Sequence, residues 1–169
     1  HEVTTNAILG AHPRVVTFFG ACLRPNNLAL VLDFKAENSV ASVLIGRRLF
    51  TEPSQIHMVL QIAVDAATGL HHLHREGIIH RDVSARNFLC DQHFRAYIAD
   101  FGMSRYLGRH EIEGVEMPVG VTNNLVGPLK WLSPQAIFES SYSESSDVYM
   151  YGVFLWEIFH RTEPYPGMT

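Results

Sequence analysis

The sequence predicts an α+β fold with two unequal parts, and three observations support this. Residues 15–19 and 28–32 are β-branched, aromatic or apolar and flank a turn at Pro25, which is typical of a strand hairpin. Apolar residues recur at helical spacing across 56–70. Strand-type sequence therefore dominates before residue 33 and helical sequence after residue 39, so the residues between are predicted to join two lobes.

Composition excludes several classes of protein. The 169 residues are 47% hydrophobic and 18% charged, which fits one domain with an ordinary core and excludes disorder, collagen and coiled coil. A formal net charge of −4 gives no electrostatic reason to bind nucleic acid or an anionic membrane, so we expect neither as a partner. The longest apolar run, 148–159, is shorter than the about 20 residues of a bilayer-spanning helix.

The cysteines indicate the cellular compartment, and the chain ends indicate a fragment. Cys22 and Cys90 lie far apart and no secretory signal is seen, which indicates free thiols in a reducing compartment. We therefore expect a cytoplasmic protein or the cytoplasmic portion of a larger membrane protein. The chain starts at His1 and stops in the turn-forming residues 164–169, so we expect a piece of something larger.

Two elements are predicted in the first half of the helical part. One is a helix from Ile56, with Thr51 as its N-cap and Gly77 beyond its end. The other is a second hairpin, formed by the short apolar runs 88–90 and 96–99.

The second half contains a long loop and another helix. Residues 101–130 are rich in glycine and lack clean periodicity, and loops of such length are usually functional. After Ser145, residues 148–156 are apolar on all sides, which predicts a fully buried helix.

Two short motifs stand at a fixed interval between these elements. His80-Arg81-Asp82 is followed by Asn87 five residues after the aspartate, and Asp100-Phe101-Gly102 begins eighteen residues after it. Each motif alone is weak, since a lone aspartate near a turn is usually a cap or turn residue. Together, in residue type and interval, they resemble the catalytic core of the protein kinases.

Further matches extend this resemblance along essentially the whole chain. The segments 131–135 and 147–152 stand where the family has its APE and DVWSFG motifs, and His12-Pro13 resembles the start of its HPNIV turn. The resemblance implies a partial protein-kinase-like fold in three parts. Residues 1–32 would be the end of the small lobe, with the end of helix C and two strands, 33–38 the hinge, and 39–169 most of the helical large lobe.

The resemblance also implies the chemistry of the site, with ATP and Mg²⁺ as cofactors. Asn87 and Asp100 would bind the metal, because amide and carboxylate oxygens are the ligands that magnesium prefers. Asp82 would accept a hydrogen bond from the attacking hydroxyl of a protein substrate. Arg86 would steady both the γ-phosphate and the Asp82 carboxylate, a role that suits a forked guanidinium.

Four residues are expected by position to bind the nucleotide. Leu32 resembles the gatekeeper, and Asp33 and Lys35 belong to the hinge whose backbone groups would bind adenine. Leu89 would form the apolar floor beneath the base.

Three more residues are expected to support the loop that carries the first motif. His80 and Asp147 resemble the histidine that braces it and the buried helix aspartate that accepts its backbone N–H groups. Arg81 would pair with a phosphate on the activation segment, and Thr122 is a candidate for that phosphate.

The acceptor hydroxyl stays open between two alternatives. Arg86, four residues after Asp82, and the segment 127–131 resemble tyrosine kinases, and both signals favour tyrosine. Serine/threonine enzymes of the tyrosine-kinase-like group share parts of both patterns.

An alternative to an active enzyme is an inactive pseudokinase or scaffold. The retention of Asp82, Asn87 and Asp100 argues against it.

Parts of the family's pattern are missing. No glycine-rich loop and no small-lobe lysine precede the hinge, so we expect the chain alone to be a poor catalyst. Glu2 is a weak match for the helix glutamate that pairs with that lysine, since it stands ten residues before His12, one more than usual. Gln135 replaces the glutamate of the APE motif.

Overall fold

The computed structural model describes residues 2–107 and 128–167. Helix α1 (Glu2–Leu9) leads into an antiparallel hairpin of β1 (Phe18–Arg24) and β2 (Asn27–Leu32). The predicted hairpin is confirmed, and its turn places Asn26 at a φ of +65°, which asparagine tolerates better than most residues.

The first predicted strand is misplaced by several residues. Strand β1 begins only at Phe18, whereas Val15 makes an isolated parallel bridge to Ile98 and the Val16 N–H donates to the Ile98 carbonyl at 3.0 Å. The β-branched residues at 15–16 are buried because they pair with the helical part, so their composition reflects burial against another element.

Helix α2 (Ile56–Arg75) is confirmed at its predicted start, but its cap is not Thr51. A 3₁₀ turn, Pro53–Gln55, precedes it, and Glu52 and Gln55 bond reciprocally across that turn. Gly77 follows the helix at a φ of +72°, a conformation that glycine adopts without strain.

Within the described residues, the remaining strands form two further small sheets, and two more α-helices follow. One sheet has the order β3–β5–β6, the other pairs β4 with β7, and all pairings are antiparallel. The predicted second hairpin is the β5–β6 pair. The bounds are β3 (Asn38–Ser39), β4 (Ile78–Ile79), β5 (Phe88–Cys90), β6 (Ala96–Ile98), β7 (Arg105–Tyr106), α3 (Pro134–Glu139) and α4 (Glu144–His160).

Helix α2 lies at the centre of the core and packs against β6 and α4. The approach to β6 is close because residue 69 is glycine. A Cβ at Gly69 would lie 2.6 Å from the Arg14 carbonyl oxygen and 3.1 Å from the Ile98 side chain. The backbone of 14–16 is thereby held between α2 and β6.

The prediction that the second helix is fully buried is wrong. In α4, Met150, Phe154 and Ile158 are completely buried, but Val148 and Tyr149 are 58% and 42% exposed among the described residues. The i, i+4, i+8 spacing of the three buried residues places them on one stripe of the helix, while Val148 and Tyr149 lie away from that stripe. The helix is capped by Ser143, whose side chain accepts the Ser146 N–H. Within the described ranges, no helix combines the length and apolarity that a membrane crossing requires.

Candidate active site

The His80-Arg81-Asp82 motif lies in the loop between β4 and β5 and rests on the first turn of α4. Asp147, which is completely buried, accepts the His80 N–H at 2.7 Å on one carboxylate oxygen and the Arg81 N–H at 2.8 Å on the other. Arg81 has a φ of +65°, which costs about 1–3 kcal/mol in a residue other than glycine. The two charge-assisted hydrogen bonds that Asp147 accepts therefore hold the loop in a strained conformation, as the resemblance implied for this residue.

Asp82 is held by groups that come from its own loop. Its carboxylate is nearly buried, and Arg86 Nη2 lies 2.9 Å from one carboxylate oxygen and 3.1 Å from the other. The Asn87 amide nitrogen donates to the Asp82 carbonyl at 2.7 Å. Because its nitrogen is used in this way, the Asn87 side chain is oriented with its oxygen left to accept from, or coordinate, another group.

His80 connects this loop to the second motif. Its Nε2 donates to the Ala99 carbonyl at 2.9 Å, and its Nδ1 accepts the Asp82 N–H at 3.2 Å, which corresponds to the neutral ring protonated at Nε2. The ring packs edge-on against Phe101 at 5.6 Å between centroids. The Ala99 N–H donates to the Asn87 carbonyl at 2.9 Å. The residue before Asp100 is thus tied to both ends of the loop 80–87.

Asp100 lies at the exposed end of this connection. It has a φ of +59°, and one carboxylate oxygen accepts the Gly102 N–H at 3.3 Å. Burial raises the pKa of Glu2, and the negative charge of Asp100 raises it further. The first turn of α1 therefore faces this carboxylate. Gly10, which follows α1, has a φ of +59°.

The residues expected to bind the base lie at the junction of the two parts. Leu32 ends β2 and is 37% exposed, and Leu89 lies half-buried in the middle of β5. These two apolar side chains belong to different sheets, one on each side of the hinge.

The hinge backbone is only partly used by the protein itself. The Asp33 N–H donates to the Thr17 carbonyl at 2.9 Å, and the Lys35 carbonyl accepts the Asn38 N–H at 3.3 Å. Among the described residues, the Asp33 carbonyl and the Lys35 N–H have no protein partner. Of the backbone groups expected to meet adenine, the Asp33 N–H is therefore already engaged, and these two are not.

Glu157, which the sequence did not single out, joins the 80–87 loop to the segment 128–131. One oxygen of this buried carboxylate accepts the Trp131 indole N–H at 2.7 Å and the Ala85 N–H at 3.0 Å. Burial raises the pKa of Glu157. The Arg86 guanidinium lies over the same indole, 5.7 Å from the ring centroid. An acidic residue inside an otherwise apolar run was the signal that could have identified it.

Arg105 was also missed. It lies in β7, close to Arg81. Burial is the main cause of the lowered pKa of Arg81, and the positive charge of Arg105 lowers this pKa further. Arg81 Nε donates to the Met103 carbonyl at 2.6 Å, and Arg105 Nε is buried with no partner within the described residues. Two cations in proximity favour an anion between them. Thr122, expected to carry such an anion, lies outside the described residues.

A groove of about 590 Å³ lies beside Arg86 and is floored by the segment 128–131. Lys130 and Glu163, 3.4 Å apart, supply its charged rim. Its remaining walls are mostly apolar, and they include Leu129, Phe138, Tyr149 and Tyr165.

The comparison with protein families agrees with this geometry. The family described as protein tyrosine and serine/threonine kinase matches residues 2–169. The chain belongs to this family. The predicted α+β, partial kinase-like fold is therefore confirmed.

Several curated relatives are similar over nearly the whole chain. The serine/threonine-protein kinase STY46 of Arabidopsis thaliana is 34% identical over 159 residues, which are 94% of this chain and 25% of the relative. The serine/threonine/tyrosine-protein kinase HT1 of the same plant is 30% identical over 94% of this chain and 38% of its own length. The probable serine/threonine-protein kinase drkA of Dictyostelium discoideum is 32% identical over 93% and 23%. The chain thus spans about a quarter to two fifths of these relatives.

Proposed function

We propose that this chain carries the catalytic and hinge segments of a protein kinase that transfers the γ-phosphoryl group of ATP to a hydroxyl group of a protein substrate. The observation that supports this most directly is the linked arrangement of Asp82, Arg86 and Asn87, joined through His80 to the backbone next to Asp100. In phosphoryl transfer the protein mainly positions groups and compensates charge, and this arrangement does both.

Asp82 and Arg86 have distinct roles in the proposed reaction. The Asp82 carboxylate accepts a hydrogen bond from the substrate hydroxyl, aligns it with the γ-phosphorus and takes up its proton. Arg86 bonds both carboxylate oxygens of Asp82, so it fixes the direction in which the remaining lone pairs point. About half of the Arg86 side chain is exposed, which leaves guanidinium N–H groups for a phosphate oxygen.

The donor set at Asn87 and Asp100 fits Mg²⁺. Both side chains offer hard oxygen ligands, and the Asn87 amide is oriented by Asp82 so that its oxygen is available. The nearby acidic groups of Glu2 and Asp100 repel each other, which a cation would relieve. No group of three or more histidine, cysteine, aspartate or glutamate side chains suited to a metal occurs in the described ranges, and two protein ligands are what a metal shared with phosphates needs. Bound Mg²⁺ would neutralise the developing charge on the phosphates.

ATP would bind across the hinge. The Asp33 carbonyl and the Lys35 N–H would supply one acceptor and one donor for the edge of adenine. Leu32 would be the gatekeeper, and Leu89 would form the apolar floor beneath the base. Such use of ATP and the two free cysteines support a cytoplasmic setting for this part of the protein.

The names of the relatives favour serine or threonine as the acceptor, since STY46 and drkA are named serine/threonine kinases. Tyrosine is the second candidate. It is supported by Arg86 four residues after Asp82, and by the groove beside Lys130 and Trp131.

The test is phosphate transfer from radiolabelled ATP by the full-length protein, with a mixed peptide library that contains serine, threonine and tyrosine acceptors. We expect Mg²⁺-dependent labelling, chiefly of serine and threonine on phosphoamino-acid analysis, and loss of at least about a hundredfold in the Asp82→Asn variant. Labelling of tyrosine alone would support the second candidate. ATP binding without transfer by the wild-type protein would support a pseudokinase instead.

A further inference from the structure

The hinge is fixed at its two ends by backbone hydrogen bonds. At its start the Asp33 N–H donates to Thr17, and at its end the Glu37 N–H donates to the Cys90 carbonyl at 3.0 Å. Lys35 lies between these points, and its backbone makes only the local bond from Asn38 among the described residues. What holds the middle of the hinge must therefore be a side chain.

The Lys35 side chain provides that contact. Only 8% of it is exposed, its ammonium nitrogen lies 3.6 Å from the centroid of the Tyr97 ring, and it pairs with the Asp33 carboxylate at 2.7 Å. A cation this close to an aromatic face and this well shielded from water is in the favourable range for a cation–π interaction. The pairing with Asp33 offsets the cost of burying the charge.

Tyr97 is itself fixed on three sides. Its hydroxyl donates to Asp91 at 2.9 Å, and the Arg14 guanidinium lies over its ring at 5.3 Å from the centroid. Arg14 is paired in turn with the buried Asp65 at 3.3 Å, so each cation on the ring has its own carboxylate. Tyr97 also stands directly opposite Leu89 in the β5–β6 pair, and residues opposite each other share one face of a sheet.

We propose that Lys35 and Tyr97 form a hinge clamp, a pair of positioning residues that sets the distance between the adenine-binding backbone of the hinge and the Leu89 floor. The side chain of Lys35 then acts through Tyr97 while its own backbone N–H meets the base. This inference rests on the proposed function, because it names what positions the nucleotide at that site. The clamp affects nucleotide affinity and leaves the phosphoryl-transfer residues, which lie on a different loop, unchanged.

Steady-state kinetics of the full-length protein test the clamp. We expect Lys35→Met and Tyr97→Leu each to raise the KM for ATP about fivefold, with kcat and the KM for the peptide within about twofold of wild type. Lys35→Arg retains the cation and Tyr97→Phe retains the ring, so both are expected to restore a KM near that of wild type. The double variant Lys35→Met/Tyr97→Leu is expected to raise the KM for ATP no further than the single variants do, because both substitutions remove the same contact.

A second measurement separates failure of the clamp from failure of the proposed function. Hydrogen exchange of peptides from 33–39 in the nucleotide-free protein is expected to be faster in Lys35→Met and Tyr97→Leu than in wild type and in Tyr97→Phe. Unchanged exchange, multiplicative effects in the double variant, or an equal fall of kcat in all variants would overturn the clamp. Faster exchange in a protein that neither binds ATP nor transfers phosphate would support the clamp and count against the proposed function.

Discussion

Replacing Asp147 with asparagine removes one charge and one acceptor atom from beneath the 80–87 loop, with almost no change in volume. The native carboxylate accepts the N–H groups of His80 and Arg81, and His74 Nε2 lies 2.9 Å from it. Asparagine keeps one acceptor oxygen but turns an NH₂ group toward at least one of these donors. Two hydrogen bonds to the charged group are therefore lost or weakened.

The expected cost follows from these contacts. A hydrogen bond to a charged group contributes about 1.5–3 kcal/mol, and a buried donor left without a partner costs a similar amount. We therefore expect Asp147→Asn to lower the free energy of unfolding of this region by about 3–5 kcal/mol, out of a total of about 5–15 kcal/mol for a domain. The strained φ of Arg81 is expected to relax, which would also move Asp82.

Urea-dependent hydrogen exchange of peptides from 78–90 in the full-length protein measures this free energy locally. The matched control is Asp91→Asn, since Asp91 also accepts three hydrogen bonds, from the His93 and Arg95 N–H groups and the Tyr97 hydroxyl, but in a turn open to water. The control is expected to cost about 1 kcal/mol because water can replace the lost partner. An Asp147→Asn variant as stable as this control would refute the reasoning.

Three further predictions concern packing and protonation. Gly69→Ala is expected to destabilise the protein by about 1–2 kcal/mol despite alanine's higher helix propensity, because the added Cβ would meet the Arg14 carbonyl. Gly152→Ala is the control and should be neutral or stabilising, since nothing lies within 4 Å of its added Cβ. Equal effects of the two substitutions in chemical denaturation would contradict this. Burial raises the pKa of the Cys90 thiol to about 12, so alkylation at pH 8 followed by mass spectrometry should label the half-exposed Cys22 and spare Cys90, and rapid labelling of Cys90 in the folded protein would be inconsistent with its burial. Because burial raises the pKa of Glu157, the folded state retains its proton to higher pH than the unfolded state, and stability falls as pH rises above the ordinary glutamate pKa of about 4.3. Glu157→Gln lacks this titration and should gain stability relative to wild type as pH rises above that value, and a pH-independent difference would show that the shift is absent.

Local pattern sufficed for the elements whose burial is one-sided and regular. The recurrence of apolar residues fixed α2, and paired apolar runs around turn residues indicated both hairpins. The same reasoning misplaced the strand at 15–19, because residues buried by pairing with a distant strand have the composition of a local one. It also described α4 as buried on all sides, since apolar composition does not reveal how many faces find a partner.

The sequence likewise identified only part of the candidate site. The two motifs and their interval marked Asp82, Asn87 and Asp100, and the structure joins their segments through His80. Glu157 and Arg105 were missed because their meaning depends on neighbours far away in sequence, an indole at 131 and a guanidinium at 81. The contact of Lys35 with Tyr97 belongs to the same class, since cation–π pairs leave no spacing in the chain.

The central claim, that Asp82, Asn87 and Asp100 act at one metal-dependent site, is tested most directly by nucleotide binding to the full-length Asp100→Asn variant in the presence and absence of Mg²⁺. We predict that wild type binds ATP more tightly with Mg²⁺ than without, that the variant loses this difference while binding metal-free ATP like wild type, and that its phosphoryl transfer falls at least about a hundredfold. Full Mg²⁺ dependence and full transfer activity in Asp100→Asn would contradict the account.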